Sequence, residues 1–549
     1  MDERDVKAAY PAAFPKLDDD QLAAISQFAA CKTYHDGETL FAAGEQELKF
    51  HAIKSGEVVI VDDSDGKRRT LLVHEAREFT GDIANFTGRP ANVSGIARGE
   101  VEVYEVSAEN LRHIIAERPG LSEIILQTFI ARWQMLSESD YTGLRVIGSR
   151  YSRDTFRIRD FLAKNRVLFT WIDLEDDPHV DELLQRFHIG EADTPVVVNG
   201  NFWLLRNPSN SELAERIGIR SALKETTYDF AIVGGGPAGL AAAVYGASEG
   251  LNTIVLEENA PGGQAGSSSM IENYLGFPTG ISGADLASRA ALQARKFGAQ
   301  FSTPSQVLKL EFEGTYPVLH LTGGEQISAK CLLIATGADY RKLDVENREK
   351  FDGAGVYYSA TYTEALMCRG SQVAVVGGGN SAGQAAVFLS ENVPKVMLLI
   401  RGNDLSKNMS RYLAQRIEQT ANIELLTNAG ITRMDGEDYL ESIEIRNDQT
   451  SESRTEAVSA VFSFIGAVPC TSWLPAQIET DDKGFVKTGV SVSNSPLWTL
   501  KRKPFLLETS QPGVFAAGDV RSGSIKRVAS SVGEGAMAVQ LAHEYLKEI

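Results

Sequence analysis

The chain has 549 residues, enough for three to five domains at roughly 100–200 residues each. Lys plus Arg number 54 and Asp plus Glu 73, a formal net charge of −19, which excludes a general electrostatic attraction to nucleic acid or anionic lipid. Apolar residues make up 43%, which argues against wholesale disorder, and no apolar run approaches the ~20 residues of a membrane span. The opening MDERDVKAAY lacks the apolar segment of a secretory signal, and Cys31, Cys331, Cys368 and Cys470 form neither a CxxC pair nor a group with histidines. These features predict a soluble, reduced, cytoplasmic, multidomain protein with no disulfide scaffold, no metal site, and no nucleic-acid or membrane partner.

In chain order, segment 38–106 alternates short apolar runs such as EVVIV and TLLVH with Gly and Asp, which predicts many short strands in an all-β roll or sandwich. Leu121, Ile124, Ile125, Phe129 and Trp133 then recur at helical steps behind Pro119, which suits a first helical turn. Residues 1–146 are read as this first domain. Residues 150–222 follow a helix–strand–helix–strand–helix pattern: 154–164, FTWIDL at 169–174, 179–188, TPVVV at 194–198, and a last helix from Ser211 to Arg216. That is close to the smallest α/β unit that can hold a core.

Two glycine runs dominate the remainder. GGGPAG at 234–239 and GGGN at 377–380 lie 143 residues apart, and each sits between a β-branched run and an Ala/Leu/Val-rich helical segment. Strand, glycine turn and helix begin a dinucleotide-binding fold, so two nucleotide domains are expected. Gly234, Gly236 and Gly239 complete G-x-G-x-x-G: a tight turn, room for a pyrophosphate, and close helix–strand packing. The following helix N-terminus favours phosphate, and Glu257, ending TIVLE, suits the ribose hydroxyls of an adenosine. The adenosine could belong to FAD or to NAD. In the second turn Gly377, Gly379 and Ala382 give G-x-G-x-x-A, with Asn380 and Ser381 opening the helix. The next β-run ends in Arg401, not an acid. An arginine suits the 2′-phosphate of NADP, and Lys407 is a second cation nearby, so NADPH is expected over NADH.

Three stretches decide the flavin. PGGQAGSSSMIENYLGFPTGISGADL at 261–286, LLIATGA at 332–338 and GVFAAGDVRSGSIKRVASSVGEGAMAV at 513–539 resemble, in the right order, motifs of the low-molecular-weight thioredoxin reductases. The resemblance implies FAD held by Gly263, Gln264 and Asn273 beside the flavin, and by Gly518 and Asp519 at the ribityl and phosphate. Arg527 and Val528, with Lys526, stand where the family has Arg-Gln-Ala. It further implies an FAD domain (226–340 and 463–549) interrupted by a nucleotide domain (341–462), and a homodimer. The family's Cys-Ala-Thr-Cys is replaced by Ser359, Ala360, Thr361 and Tyr362 after Tyr358, so the frame is kept without its sulfurs. Neither Ser nor Tyr exchanges disulfides. Cys368 lies just downstream and reads as an inert cysteine in a connecting loop.

The 150–222 unit resembles a thioredoxin or glutaredoxin domain, with Thr194-Pro195 as its cis-proline turn, but holds no cysteine. The first domain resembles cyclic-nucleotide-binding domains. Gly81-Asp82 and Arg89-Pro90-Ala91 occupy the phosphate cassette, yet the residue after the proline is Ala91, which makes cyclic-nucleotide binding doubtful. The expected architecture is therefore an α/β multidomain chain: a β-roll, a thioredoxin-like domain and two Rossmann-like domains. The expected function is an NADPH-dependent flavoprotein oxidoreductase whose acceptor is a small molecule, a quinone or a redox protein. No catalytic side chain is assigned. The rivals are a flavin or nucleotide sensor with incidental turnover, and a disulfide reductase using Cys368 paired in space with Cys331 or Cys470.

Overall fold

The structure is a computed structural model that describes residues 3–549 except 46–47, 63–67, 83–84, 86–88, 92, 138–143, 177–189, 191–192, 200–202, 221–222, 224–225 and 269. The roll's sheet runs Ala30–Tyr34, Ser94–Val106, Phe50–Asp62, Arg69–His74, and Thr39–Phe41 also pairs with Ser94–Val106. Two of these strands have 13 residues each, which corrects the expectation of uniformly short ones. Gly56 and Gly99 take positive φ of 84° and 72° within the strands, and the register shifts at Ser55 and Glu57. The glycines are absorbed as bulges rather than turns. Helix Pro119–Ser137 has Pro119 at its first position and buries Leu121, Ile125 and Phe129 against Phe50 and Phe79.

The middle unit has the sheet order Phe169–Ile172, Leu144–Ile147, Val196–Asn199, Trp203–Arg206. The first pair is parallel and the other two are antiparallel. Helices Arg153–Lys164 and Asn210–Arg216 cover one face through Ile158, Phe161, Leu162 and Leu213. Strand Leu144–Ile147 is hydrogen-bonded into this sheet, so the unit starts at Leu144 rather than at 150. The expected helix 179–188 lies outside the described residues, and the Thr194–Pro195 peptide bond is cis.

The first nucleotide domain carries the sheet Gln300–Ser302, Thr253–Leu256, Thr227–Val233, Gln326–Ile334, Tyr316–Leu321, Val307–Glu313, with Val514–Ala516 parallel to Gln326–Ile334. The second carries Val356–Tyr357, Ala460–Ser463, Val373–Val376, Val396–Ile400, Ile423–Thr427, all parallel. Val396–Ile400 is buried at every residue, as a parallel strand covered on both faces must be. Ser463 ends a strand of this second sheet, one residue beyond the expected 341–462. The chain crosses between the domains along a two-stranded antiparallel ladder, Ala338–Tyr340 with Ala467–Pro469.

The middle unit is wedged between the others. Arg89 of the roll donates to the Asn165 carbonyl at 2.7 Å, and Asn165 donates to the Asn259 carbonyl of the first nucleotide domain at 3.0 Å. Leu292 of helix Gly283–Lys296 packs into the roll's own apolar cluster.

Candidate cofactor sites and the vacant dithiol frame

The three glycines of the first turn have different reasons to be glycine. Gly234 has φ of 105°, and a Cβ there would stand 2.3 Å from the Ala335 carbonyl oxygen. A Cβ on Gly239 would stand 1.9 Å from the Gly234 oxygen, so helix Pro237–Ser248 could not seat on its strand. Gly236 is the opposite case. It caps that helix with an ordinary φ of −73°, and a Cβ there would meet only the Gly263 Cα, at 3.9 Å. The Gly236 and Gly263 backbones thus approach closely at a helix N-terminus, where a Cβ on Gly263 would stand 3.0 Å from the Gly236 Cα. Free amides at such an end suit a pyrophosphate, and a side chain at the mouth of this groove would obstruct it.

Glu257 lies beside this groove. Its Oε2 accepts from the Gly235 amide at 2.6 Å, and its Oε1 from the Asn259 and Ala260 amides at 2.9 and 3.2 Å. Burial pushes its carboxyl up, and these three amides pull it back. The carboxylate therefore organises the turn. Gln264 donates its amide to the Ala338 carbonyl, which ties helix Gly263–Gly266 to the domain crossover. Asn273 is exposed on the segment closed by the Ile271–Ile281 bridge.

The closing motif returns to the same place. Gly518 has φ of 77° and donates its amide to Glu534 at 2.7 Å, and a Cβ there would lie 3.1 Å from the Ala238 Cβ. Burial pushes the Asp519 carboxyl up, against the attraction of Lys526. Tyr340, on the crossover strand, is pushed up to about 12 by burial and by the charge of Asp519. Arg527 caps helix Val528–Leu546 and is exposed. A Cβ on Gly535 in that helix would stand 2.1 Å from the Ala238 oxygen, so this close helix pair holds Gly518 against the first glycine turn. The structure brings Gly234, Gly236, Gly239, Glu257, Gly263 and Gly518 together. A flavin dinucleotide could be held across them.

The second turn repeats the logic. Gly377 has φ of 146°, and a Cβ there would stand 2.5 Å from the Phe464 oxygen, whereas a Cβ on Gly379 would meet nothing within 4 Å. Asn380 also braces the fold. Its Oδ1 accepts from the Ser410 amide at 2.7 Å, which anchors the start of helix Arg411–Gln419. Ser381 is exposed and Ala382 is buried. Arg401 follows strand Val396–Ile400, exposed, with no hydrogen bond or ion pair from its guanidinium among the described residues. Lys407 donates to Asn403 at 3.1 Å.

The dithiol frame is built over by other chemistry. Glu364, 0% exposed, accepts from the Thr361 amide at 2.7 Å, from the Thr361 hydroxyl, and from the Ser359 hydroxyl at 3.4 Å. Burial pushes its carboxyl up. The middle unit lies against this frame: Phe156 packs on Tyr357 at 5.3 Å, and Tyr151 stacks on Tyr439 at 4.0 Å. Arg159, 4% exposed, lies 3.5 Å over Trp171. Burial pulls its guanidinium down to about 10, opposed by Asp173, Tyr357 and Glu364. Sequence reasoning missed Arg159 and Glu364 because neither belongs to a motif and the burial that marks both is set by the fold.

All four cysteines are free. Cys368 lies in the turn that connects helix Tyr362–Met367 to strand Val373–Val376, as expected, and is 2% exposed in the second nucleotide domain's core, where burial pushes its thiol up to about 12. Cys331 lies in a different core cluster, in the first nucleotide domain, and burial pushes it up as well. Cys470, on the crossover, is pushed up to about 12 by burial and by Asp339. The pairing of Cys368 with either of them is therefore absent from this structure.

In the roll, Arg89 leaves the cassette to reach the middle unit, and Ala91 is buried in an apolar cluster with Phe41, Leu72 and Met135. Gly81 offers its carbonyl to Arg132 at 2.6 Å. The remaining nitrogens of Arg132 serve the carbonyls of Ala13 and Phe79, so this arginine is a fully used strut.

Two double-glycine grooves and a crossover ladder define a two-dinucleotide oxidoreductase. Residues 228–535 match the family model for pyridine nucleotide-disulphide oxidoreductases, and the chain belongs to that family. Residues 31–118 match the cyclic nucleotide-binding domain. Over 323 residues the chain is 35% identical to the thioredoxin reductase of Treponema pallidum, across 59% of this chain and 98% of that protein. It is 32% identical, over the same length and shares, to a 34.2 kDa protein in the rubredoxin operon of Clostridium pasteurianum. Among solved structures it is similar to Lactococcus lactis thioredoxin reductase, with 29% identity and a TM-score of 0.53 over 59% of this chain and 100% of that one. The protein is an NAD(P)H-dependent flavoprotein oxidoreductase of the thioredoxin reductase-like class, whose cofactors are FAD and NADPH. Among the described residues no helix is long and apolar enough to cross a membrane.

Proposed function

We propose that this oxidoreductase passes electrons from NADPH to an acceptor other than an internal dithiol: a small molecule, a quinone or a separate redox protein. The observation that carries the reading is the frame at 358–362. It holds no sulfur, the hydroxyls of Ser359 and Thr361 are given to the buried Glu364, and Phe156 of the middle unit packs on the adjoining Tyr357. Cys368, the one cysteine nearby in the chain, has a thiol held far above neutrality, and a thiol is a poor nucleophile until it ionises. The operon named for the Clostridium relative favours a redox-protein acceptor.

The chain's own residues bind and orient. Gly236 and Gly263 clear the groove for the FAD pyrophosphate, Glu257 takes the adenosine ribose, and Gly518 and Asp519 take the ribityl side. Gly379 clears the second groove, and the unpaired Arg401 selects NADPH through its 2′-phosphate. When bound, FAD supplies the two-electron chemistry, so no side-chain acid, base or nucleophile is required for the first half-reaction. The middle unit serves as a thioredoxin-like docking domain that has lost its thiols. Anaerobic titration of the FAD-loaded protein tests the reading. Full reduction is expected at one NADPH per flavin, and an end point of two would return the protein to the dithiol reductases.

A further inference from the structure

The two nucleotide domains are joined through the ladder of Ala338–Tyr340 with Ala467–Pro469, three residue pairs long. Beside it, Arg416 of helix Arg411–Gln419 pairs with Glu272 at 3.3 Å, on the segment that carries Asn273. Asn380 ties the start of the same helix to the second glycine turn, so the flanks of the two cofactor sites meet in this arrangement. Both side chains of the pair are exposed, and an exposed ion pair holds little. Relative motion is the default for domains joined by so small a contact. Hydride transfer, however, needs its reacting atoms held roughly 3–3.5 Å apart.

One helix of the middle unit touches both domains. Arg153–Lys164 has 12 residues, about 18 Å at 1.5 Å each. Ile158, Phe161 and Leu162 seat it on the sheet of its own unit, which makes it a rigid element. Its start grips the second nucleotide domain. Arg153 donates to the carbonyls of Glu349 and Lys350, and Phe156 packs on Tyr357 and the core behind it. Tyr151, two residues ahead of the helix, stacks on Tyr439 with the rings 4.0 Å apart and 16° from parallel. The end of the helix grips the FAD domain. Asn165, its C-cap, donates to the Asn259 carbonyl at 3.0 Å, and Arg166 pairs with Asp285.

We propose that this helix is a strut for the hydride transfer, and that Tyr151, Arg153 and Phe156 are its positioning residues. It holds the second nucleotide domain against the FAD domain in the orientation that the Arg416–Glu272 contact marks, in which NADPH reduces the flavin. The grip suits the task. Stacked rings and a guanidinium shared between two carbonyls are directional, so they fix orientation as well as distance. The three residues act through the placement of a domain and not on substrate. The middle unit thereby has a task that needs no thiol. That task belongs to the first half-reaction alone, whatever the acceptor.

The test is anaerobic stopped-flow reduction of the FAD-loaded full chain by NADPH, with the natural protein set against Tyr151→Ala/Arg153→Ala. The limiting rate of flavin reduction is expected to fall about tenfold or more, since a misplacement of ~1 Å costs on the order of 10²-fold. The Kd for NADPH, from the concentration dependence of that rate, and the FAD content are expected to stay as they were. Tyr151→Phe keeps the ring and is expected to keep the rate. Small-angle X-ray scattering without NADPH gives a reading apart from turnover: the double variant is expected to show a broader distance distribution. If the double variant does not fold, Tyr439→Ala removes the same stack from the opposite face and decides in its place. An unchanged or faster rate, an unaltered distance distribution, or a slowing that comes with lost FAD or a raised Kd for NADPH overturns the proposal.

Discussion

Gly236→Val and Gly239→Ala, made side by side, separate what the fold needs from what the cofactor needs. The protein leaves space at Gly236: the nearest atom to an added Cβ is 3.9 Å away, and the backbone there has a φ of −73° that any residue adopts. Losing a glycine from the N-cap costs only about 0.5–1 kcal/mol, so Gly236→Val should fold. Its γ-methyls would enter the groove where the pyrophosphate meets the helix N-terminus. Displacing two charge-assisted hydrogen bonds costs about 3–6 kcal/mol, or about 10²–10⁴ in FAD affinity. Gly239→Ala is different, because its Cβ would lie 1.9 Å from a backbone oxygen that has no rotamer to escape into. That variant should lose the FAD domain's melting transition itself, at a cost above the ~1–3 kcal/mol usual for overpacking. The assay is the ratio of flavin to protein absorbance after purification, with a melting curve of each apoprotein. A Gly236→Val protein that kept its full FAD, or melted like Gly239→Ala, would falsify the assignment of the groove.

Other consequences follow from the same geometry. Arg401→Ala should raise the Kd for NADPH about tenfold and leave NADH unchanged, because an exposed guanidinium gives only the lower end, about 1.5 kcal/mol, of a charge-assisted bond; equal loss for both cofactors would refute the 2′-phosphate contact. Replacing all four cysteines, with alanine at the buried Cys331 and Cys368, should preserve NADPH-to-acceptor turnover, measured with a quinone. Burial holds His51 and His74 in the roll at about 4, below their usual 6.5. Between pH 6.5 and 4 the unfolded chain binds protons that the folded roll refuses, so the roll's stability should fall as pH falls through this window. Thermal midpoints from pH 7 to pH 4 check this, and His51→Gln with His74→Gln should flatten the slope.

The cofactor turns were legible because their chemistry is local. A strand, a glycine turn and a helix specify themselves within a dozen residues, and Gly234, Gly236, Gly377 and Gly379 stand where the spacing puts them. Other features were not legible. The glycines of segment 38–106 suggested many short strands, because a sequence does not tell a bulge from a turn when the pairing strand that decides between them is distant. That the Asn380 Oδ1 accepts from the Ser410 amide was not legible either, since nothing in the motif reports on a loop that returns from residue 410. The connecting turn of Cys368 was legible, but its burial was not, because that comes from neighbours such as Val373 and Ala460.

By itself the sequence determined that this protein has two dinucleotide turns, that the second ends in a cation, and that the redox frame lacks sulfur. These are matters of residue identity and short-range spacing, and no fold can add a thiol. Only the tertiary structure decided which glycines hold the fold and which hold ligand, since that depends on what a Cβ would meet. It also decided that Arg159 and Phe156 lie against the empty dithiol frame, and that helix Arg153–Lys164 reaches from one nucleotide domain to the other. Burial and the field between two charges depend on distances in space, and those distances are set by segments far apart in the chain.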